Sequence, residues 1–200
     1  MGVLDKGVAI LDLCEFNPST ATEIAKALGM SLPTAARLAN ALLGHGLLQR
    51  SPDGRFHLGP RFLTTRMVEV ATPLLEHLSH RINETSMLWV ARGDQRVCSA
   101  EVNASHELRA HFQPGTAIPL AHGGSAARAL QGDINSEGWA ESVQERAAGL
   151  SSVSAPVISD GAYLAAVCVV VPVSRIDSSP GQMYGAEVVE CANRITALLT

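Results

Sequence analysis

The chain has 200 residues, 46% hydrophobic and 17% charged, with a formal net charge of −4; this apolar share excludes a mainly disordered chain and suffices for one good core or two small ones. The four cysteines, Cys14, Cys98, Cys168 and Cys191, are widely scattered, with no C-x-x-C pair and no secretory leader at Met1, so reduced core thiols in a cytoplasmic protein are expected. The longest apolar run, 162–172, is about half the ~20 residues that span a bilayer, which excludes a membrane helix.

In chain order, residues 20–59 read as a DNA-reading module. Segments 22–28 and 33–43 carry apolar residues at helical spacing: Ile24, Ala27 and Leu28, then Ala35, Leu38, Ala39 and Leu42. Ser31 stands where a capping hydroxyl would accept a backbone N–H, and Pro33 sits in the first turn, where a missing donor costs little. Gly44 and Gly46 flank His45 where the chain must leave the helix. Strand candidates 47–50 and 55–58 then meet across Asp53-Gly54, a hairpin signal. A helix followed by a hairpin is a winged helix. The free face of the second helix presents Thr34, Arg37, Asn40 and Ala41, donors and small groups suited to base edges in a major groove. Arg50 and Arg55 on the wing, with Arg61 just behind, are placed for phosphates.

Charge is uneven. Residues 1–66 hold seven basic side chains (Lys6, Lys26, Arg37, Arg50, Arg55, Arg61, Arg66) and five acidic ones (Asp5, Asp12, Glu15, Glu23, Asp53), a balance of +2 that leaves −6 to the rest. An acidic body repels a phosphate backbone, so only the amino-terminal part is suited to approach one, and two domains are expected.

Beyond Arg61 the pattern changes. Residues 62–81 have helical periodicity, with Pro73 predicting a break into two pieces. Strand-like segments 87–92 and 96–102 flank Gly93-Asp94, and 107–113 alternates toward Pro114-Gly115. Gly123-Gly124-Ser125 precedes a small-residue helix, 126–130, whose backbone donors would seat a carboxylate. Two more strands, 153–158 and 163–171, lead to a closing helix over 183–199. The plan is α+β, with an antiparallel sheet backed by helices.

Taken together, Gly2-Val3-Leu4-Asp5-Lys6, Thr22-Glu23-Ile24-Ala25, Pro33-Thr34-Ala35-Ala36-Arg37-Leu38, the run from Asp53 through Arg61, and Gly149-Leu150-Ser151-Ser152-Val153-Ser154-Ala155-Pro156-Val157 resemble an IclR-type transcriptional regulator over nearly the whole chain. The wording at both ends most resembles the branch controlling amino-acid biosynthesis, leucine-pathway genes included. The resemblance implies a winged helix-turn-helix domain at 1–60, a linker helix at 61–72 and a GAF-like effector domain at 73–200. It also implies a homodimer or a dimer of dimers on palindromic operator DNA. DNA contacts are expected from Ser31, Pro33, Thr34, Arg37, Asn40, Arg50, Arg55 and Arg61. The effector pocket, carried over by position, comprises Ser125, Ala126, Ser142, Ser152, Cys168 and Val170.

The family often has an acidic residue where Ser142 stands, a cysteine at Ser152, and serines at Cys168 and Val170. Losing a carboxylate and two hydroxyls disfavours small, very polar acids, whose groups would lack partners, and favours an amino acid or branched-chain metabolite. Against the family pattern two segments are short, at Arg66-Met67 and between Gln131 and Trp139, just before Ser142. No cofactor and no metal site are expected. His77 and His80 sit at i and i+3, a spacing common by chance. An enzyme is the competing class, because His122-Gly123-Gly124 is similar to an esterase oxyanion turn that would make Ser125 a nucleophile, but no G-x-S-x-G elbow follows a strand. A metabolite-binding module without DNA reading is the third class.

Overall fold

The computed structural model describes residues 2–107 and 109–199. The chain divides into two compact units between Arg66 and Met67, each with its own core.

The first unit opens with helix α1 (Val3–Phe16), whose first turn is fixed by Asp5, its carboxylate accepting from Gly2 N at 2.6 Å. Helix α2 (Ala21–Ala27) has a capping box: Thr20 Oγ1 accepts from Glu23 N, and the Glu23 carboxylate returns to accept from Thr20 N. Helix α3 is Leu32–Gly44. Ser31 occupies its N-cap position but caps no N–H, contrary to expectation; its hydroxyl is 2.8 Å from Thr34 Oγ1 instead. The chain leaves α3 through Gly46 at φ 68°, and strands β1 (Leu48–Arg50) and β2 (Phe56–Leu58) pair antiparallel. Ser19 bridges to Phe56 by two backbone hydrogen bonds, of 2.9 and 2.8 Å, attaching the hairpin to the helices. Ile10, Cys14, Ile24, Ala35, Leu38, Leu48 and Phe56 close the core.

Helix α4 (Pro60–Ile82) runs unbroken through Pro73, where two pieces were expected. Pro73 and Glu69, whose carbonyl loses its partner, both lie on the exposed side, open to solvent, which keeps the cost of the missing N–H small. The opposite side buries Met67, Ala71, Leu74, Leu75 and Leu78 on both sides of the proline, so packing holds the axis together.

In the second unit β3 (Thr85–Arg92), β4 (Gln95–Val102), β5 (Ala117–Pro119), β6 (Ala140–Val143), β7 (Leu150–Ser159) and β8 (Ala162–Pro172) form one antiparallel sheet in the order β5-β4-β3-β8-β7-β6. The expected strand at 107–113 is absent among the described residues of that segment. Its alternation comes from Ala110 and Phe112 packing inward from a loop, held by Glu101, which accepts from Phe112 N at 2.6 Å. Helix α5 (Ser125–Gln131) covers one face of the sheet, and the unit's share of α4 with α6 (Pro180–Leu199) covers the other. In β8, Val167 and Val169 therefore face one core while Ala166, Cys168 and Val170 face the second, which is why the strand reads as a continuous apolar run. Each buried valine contributes ~1.5 to 3 kcal/mol of apolar burial.

Candidate functional site

Two places carry recognition chemistry, one in each unit. In the first, α3 buries Ala35, Leu38 and Ala39, and helical geometry turns the opposite strip outward. Ser31, Pro33, Arg37 and Asn40 are exposed and Thr34 is half-buried beside the Ser31 hydroxyl. Among the described residues Arg37 forms no ion pair.

The wing arginines differ from one another. Arg50 is exposed, lies over the Phe56 ring at 5.3 Å and donates Nε–H to Gly54 O at 3.2 Å, with no ion pair among the described residues. Arg55, expected to face phosphates, instead donates Nη1–H and Nη2–H to the two Glu23 oxygens at 2.7 and 3.1 Å and Nη1–H also to Pro18 O at 2.9 Å. It ties the wing to the start of α2. The Glu23 carboxyl lies below its ordinary range because Thr20 N, Arg55 and the Thr20 hydroxyl all donate to it. Arg61 is exposed, and its backbone N–H reaches Gly46 O at 3.3 Å.

In the second unit, Ser125, Ala126, Ser142, Ser152, Cys168 and Val170 all line one cavity. Sheet register brings them together: Ser152 pairs with Ser142 on one side and Val170 on the other, and Ser154 pairs with Cys168. From above, Ser125 Oγ lies 2.7 Å from Ser152 Oγ and 2.8 Å from Ser154 Oγ, forming a chain of three hydroxyls with Cys168 Sγ at 3.9 Å. Ser125 is buried, and its hydrogen-bonding neighbours among the described residues are two hydroxyls and a thiol rather than a histidine, so the nucleophile expectation has no base there to act through. Burial pushes the Cys168 thiol up, and Cys98 up to about 12, so both stay protonated and unreactive near neutrality.

The turn at Gly123 and Gly124 adopts positive φ, 67° and 87°, and passes tightly against its surroundings. A Cβ on Gly123 would meet Glu145 Oε1 at 2.5 Å, and one on Gly124 would meet Arg96 Nη2 at 3.4 Å. The first donor of the expected carboxylate seat is already used, since Gly124 N donates to Glu145 Oε1 at 3.4 Å. Glu145 also pairs with Arg128. Burial works against that carboxylate's charge, but Ser142, Gly124 N and Arg128 outweigh it and hold its pKa below the usual value.

Among the other lining residues, sequence reading missed Trp89, Arg96, Phe112 and Arg146. Trp89 and Phe112 meet edge to face, with centroids 5.6 Å apart. Arg96 lies 5.5 Å from the Trp89 ring and donates Nη1–H to Gly123 O at 2.6 Å, while Arg146 lies 4.7 Å over Phe112. The cavity offers about 30 Å³, room for about two waters. Among the described residues, no group of three His, Cys, Asp or Glu is placed to hold a metal ion.

Comparison with known proteins matches both units to models of one family. The IclR helix-turn-helix domain matches residues 3–52, and the bacterial transcriptional regulator IclR C-terminal domain matches residues 127–197, together more than half of the chain. The regulator BhcR of Paracoccus denitrificans is 31% identical over 64% of this chain and 49% of its own length. An HTH-type regulator of Mycobacterium tuberculosis is 30% identical over 81% of this chain and 64% of its own. The chain thus spans about half to two thirds of the curated relatives it matches. Among solved structures, the Thermotoga maritima IclR superposes with a TM-score of 0.62 at 19% identity over 98% of both chains. A homologue from Microbacterium hydrocarbonoxydans in complex with 4-hydroxybenzoate superposes at 0.59 and 18% identity over 99% of both. The matched families and relatives are transcriptional regulators, not enzymes.

Proposed function

Because the chain belongs to the IclR family of bacterial transcriptional regulators, we propose that it is a sequence-specific DNA-binding regulator whose operator occupancy is set by a small metabolite. The observation that carries this reading is the outward strip of α3, with Arg37 and Asn40 exposed and uncommitted to any ion pair among the described residues. Ser31, Pro33, Thr34, Arg37 and Asn40 enter the major groove; Arg50 and Arg61 meet phosphates. Arg55 contributes by holding the wing against α2, and reaches phosphate only by leaving Glu23. Residues 1–60 form the reader, 61–72 the linker, and 73–200 the effector domain of a cytoplasmic homodimer or dimer of dimers.

The effector occupies the cavity lined by Ser125, Ala126, Ser142, Ser152, Cys168 and Val170. An amino acid or branched-chain metabolite is supported by the apolar surface that Ala126, Leu150, Cys168 and Val170 add to the serines. That a structural homologue was crystallised with 4-hydroxybenzoate supports a small organic ligand in this fold. Control requires that the ligand bind the operator-competent and incompetent states with different affinity. Selection of bound fragments from random duplex DNA, repeated with and without a metabolite pool, tests the reading. A symmetric consensus that changes in yield with metabolites is expected. Retention without sequence preference would leave a metabolite-binding module that has lost DNA reading.

A further inference from the structure

Arg96 is 3% exposed, on β4 in the register that points into the cavity. Among the described residues it forms no ion pair, its Nε–H has no acceptor, and its one hydrogen bond is to a neutral carbonyl, Gly123 O. Removing a guanidinium from water without a carboxylate partner is costly, and an orphaned buried donor adds to that cost. The Trp89 ring offsets only part of this, since a cation–π contact is weaker than the desolvation it opposes. Replacement by any apolar side chain of similar volume would be the cheaper packing solution. An internal role is therefore a poor account of this side chain.

The rest of the lining has the same sign. Arg146 is a second guanidinium, and no Asp or Glu lines the cavity; the nearby Glu145 is engaged by Arg128 and Gly124 N. We propose that Arg96 is the anchor for the effector's carboxylate, and that the site takes a monocarboxylate without an ammonium group in preference to the matching amino acid. The acid's oxygens accept from the free Nε–H and the adjoining Nη2–H in the side-on bidentate arrangement that guanidinium allows. An ammonium would meet two guanidinium charges and no carboxylate free to pair with it. The apolar body then lies against Trp89, Val170 and Leu150, with the serine hydroxyls as secondary partners. This rests on the effector occupying the cavity and names the charge class that the site selects.

Three probes of one skeleton test it on the full chain by calorimetry: 4-methylpentanoate, 4-methylpentanamide and leucine, with benzoate and benzamide as a second skeleton. The carboxylate is expected to bind about 10- to 100-fold more tightly than its amide, in line with a hydrogen bond to a charged group, and more tightly than leucine. Arg96→Met should bring the carboxylate and amide within about twofold, and Arg96→Lys, which keeps the charge and loses the fork, should leave an intermediate preference. Equal binding of acid and amide by the native protein, tighter binding of leucine than of 4-methylpentanoate, or a preference that survives Arg96→Met would overturn the anchor. If metabolites still modulate DNA selection in that case, the regulator reading stands without it. If modulation survives filling the cavity by Ser152→Trp, the effector lies elsewhere and the anchor falls with the cavity; if no metabolite modulates DNA selection by the native protein, the regulator reading itself fails.

Discussion

Arg55 in the first unit and Arg96 in the second use the same side chain in opposite ways. Arg55 is 40% exposed at its side chain and has both terminal nitrogens on one carboxylate; Arg96 is buried and has none. Surface charge recognition is cheap to keep in water and screened by salt, so the first unit can commit Arg55 to shape and still spare Arg37 and Arg50 for a partner. Inside the second unit every unpaired donor is costly, so one left without an acceptor points to something that arrives from outside.

The contrast breaks or sharpens under four measurements, the largest first. Glu84 is 4% exposed and accepts from Arg175 Nε and Nη2 at 2.6 and 2.7 Å, a partnered counterpart to Arg96. Glu84→Ala should destabilise the chain by about 2 to 4 kcal/mol in denaturant unfolding, discounted because Arg175 is a quarter exposed. Next, Arg37→Ala should cost ~1 to 3 kcal/mol of operator binding and relax sequence preference, whereas Arg50→Ala should weaken all duplexes alike and flatten the salt dependence; indistinguishable behaviour would reduce α3 to charge attraction. Third, Arg96→Met should raise the unfolding free energy of the ligand-free protein by about 1 kcal/mol, because it removes an unpartnered buried charge. A loss of several kcal/mol would make Arg96 a structural residue and end the comparison.

The smallest effect concerns pH. The Glu23 carboxyl is depressed in the folded chain, chiefly by Thr20 N and then by Arg55, so its contribution is fully present above the ordinary carboxylate range. It is lost as the pH falls through that range toward the lowered folded value. Glu23→Gln should therefore lower the stability of the first unit near neutrality, converge with the native chain at low pH, and so flatten the acid side of the stability curve.

Local chemistry made the first unit legible. Asp53-Gly54, Gly46 and Pro33 act through their own backbone preferences, and the apolar spacing of α3 is plain. Helix α1 was missed because its apolar residues run round the helix, with Ile10 and Cys14 inside and Val3, Leu4 and Val8 exposed. Pro73 misled because burial of Met67, Ala71, Leu74, Leu75 and Leu78 prevails over one absent hydrogen bond. In the second unit the serines, Ala126, Cys168 and Val170 came from resemblance, while Trp89, Phe112 and Arg146 lie on separate segments that only the fold converges. Arg96 did leave a trace: in β4 the buried positions alternate, and an arginine shares the inward parity of Cys98. A charge in a core register is a local contradiction in the sequence itself.

The hydroxyl chain of Ser125, Ser152 and Ser154 has a consequence of its own. Each hydroxyl rotates about its C–O bond and can give its proton in either direction, so the row can reverse polarity with no heavy atom moving. A visitor offering an acceptor is met by one orientation and a visitor offering a donor by the other. The wall beside the sheet is thus a reversible template, chemically ambidextrous, whereas the Arg96 guanidinium can only donate.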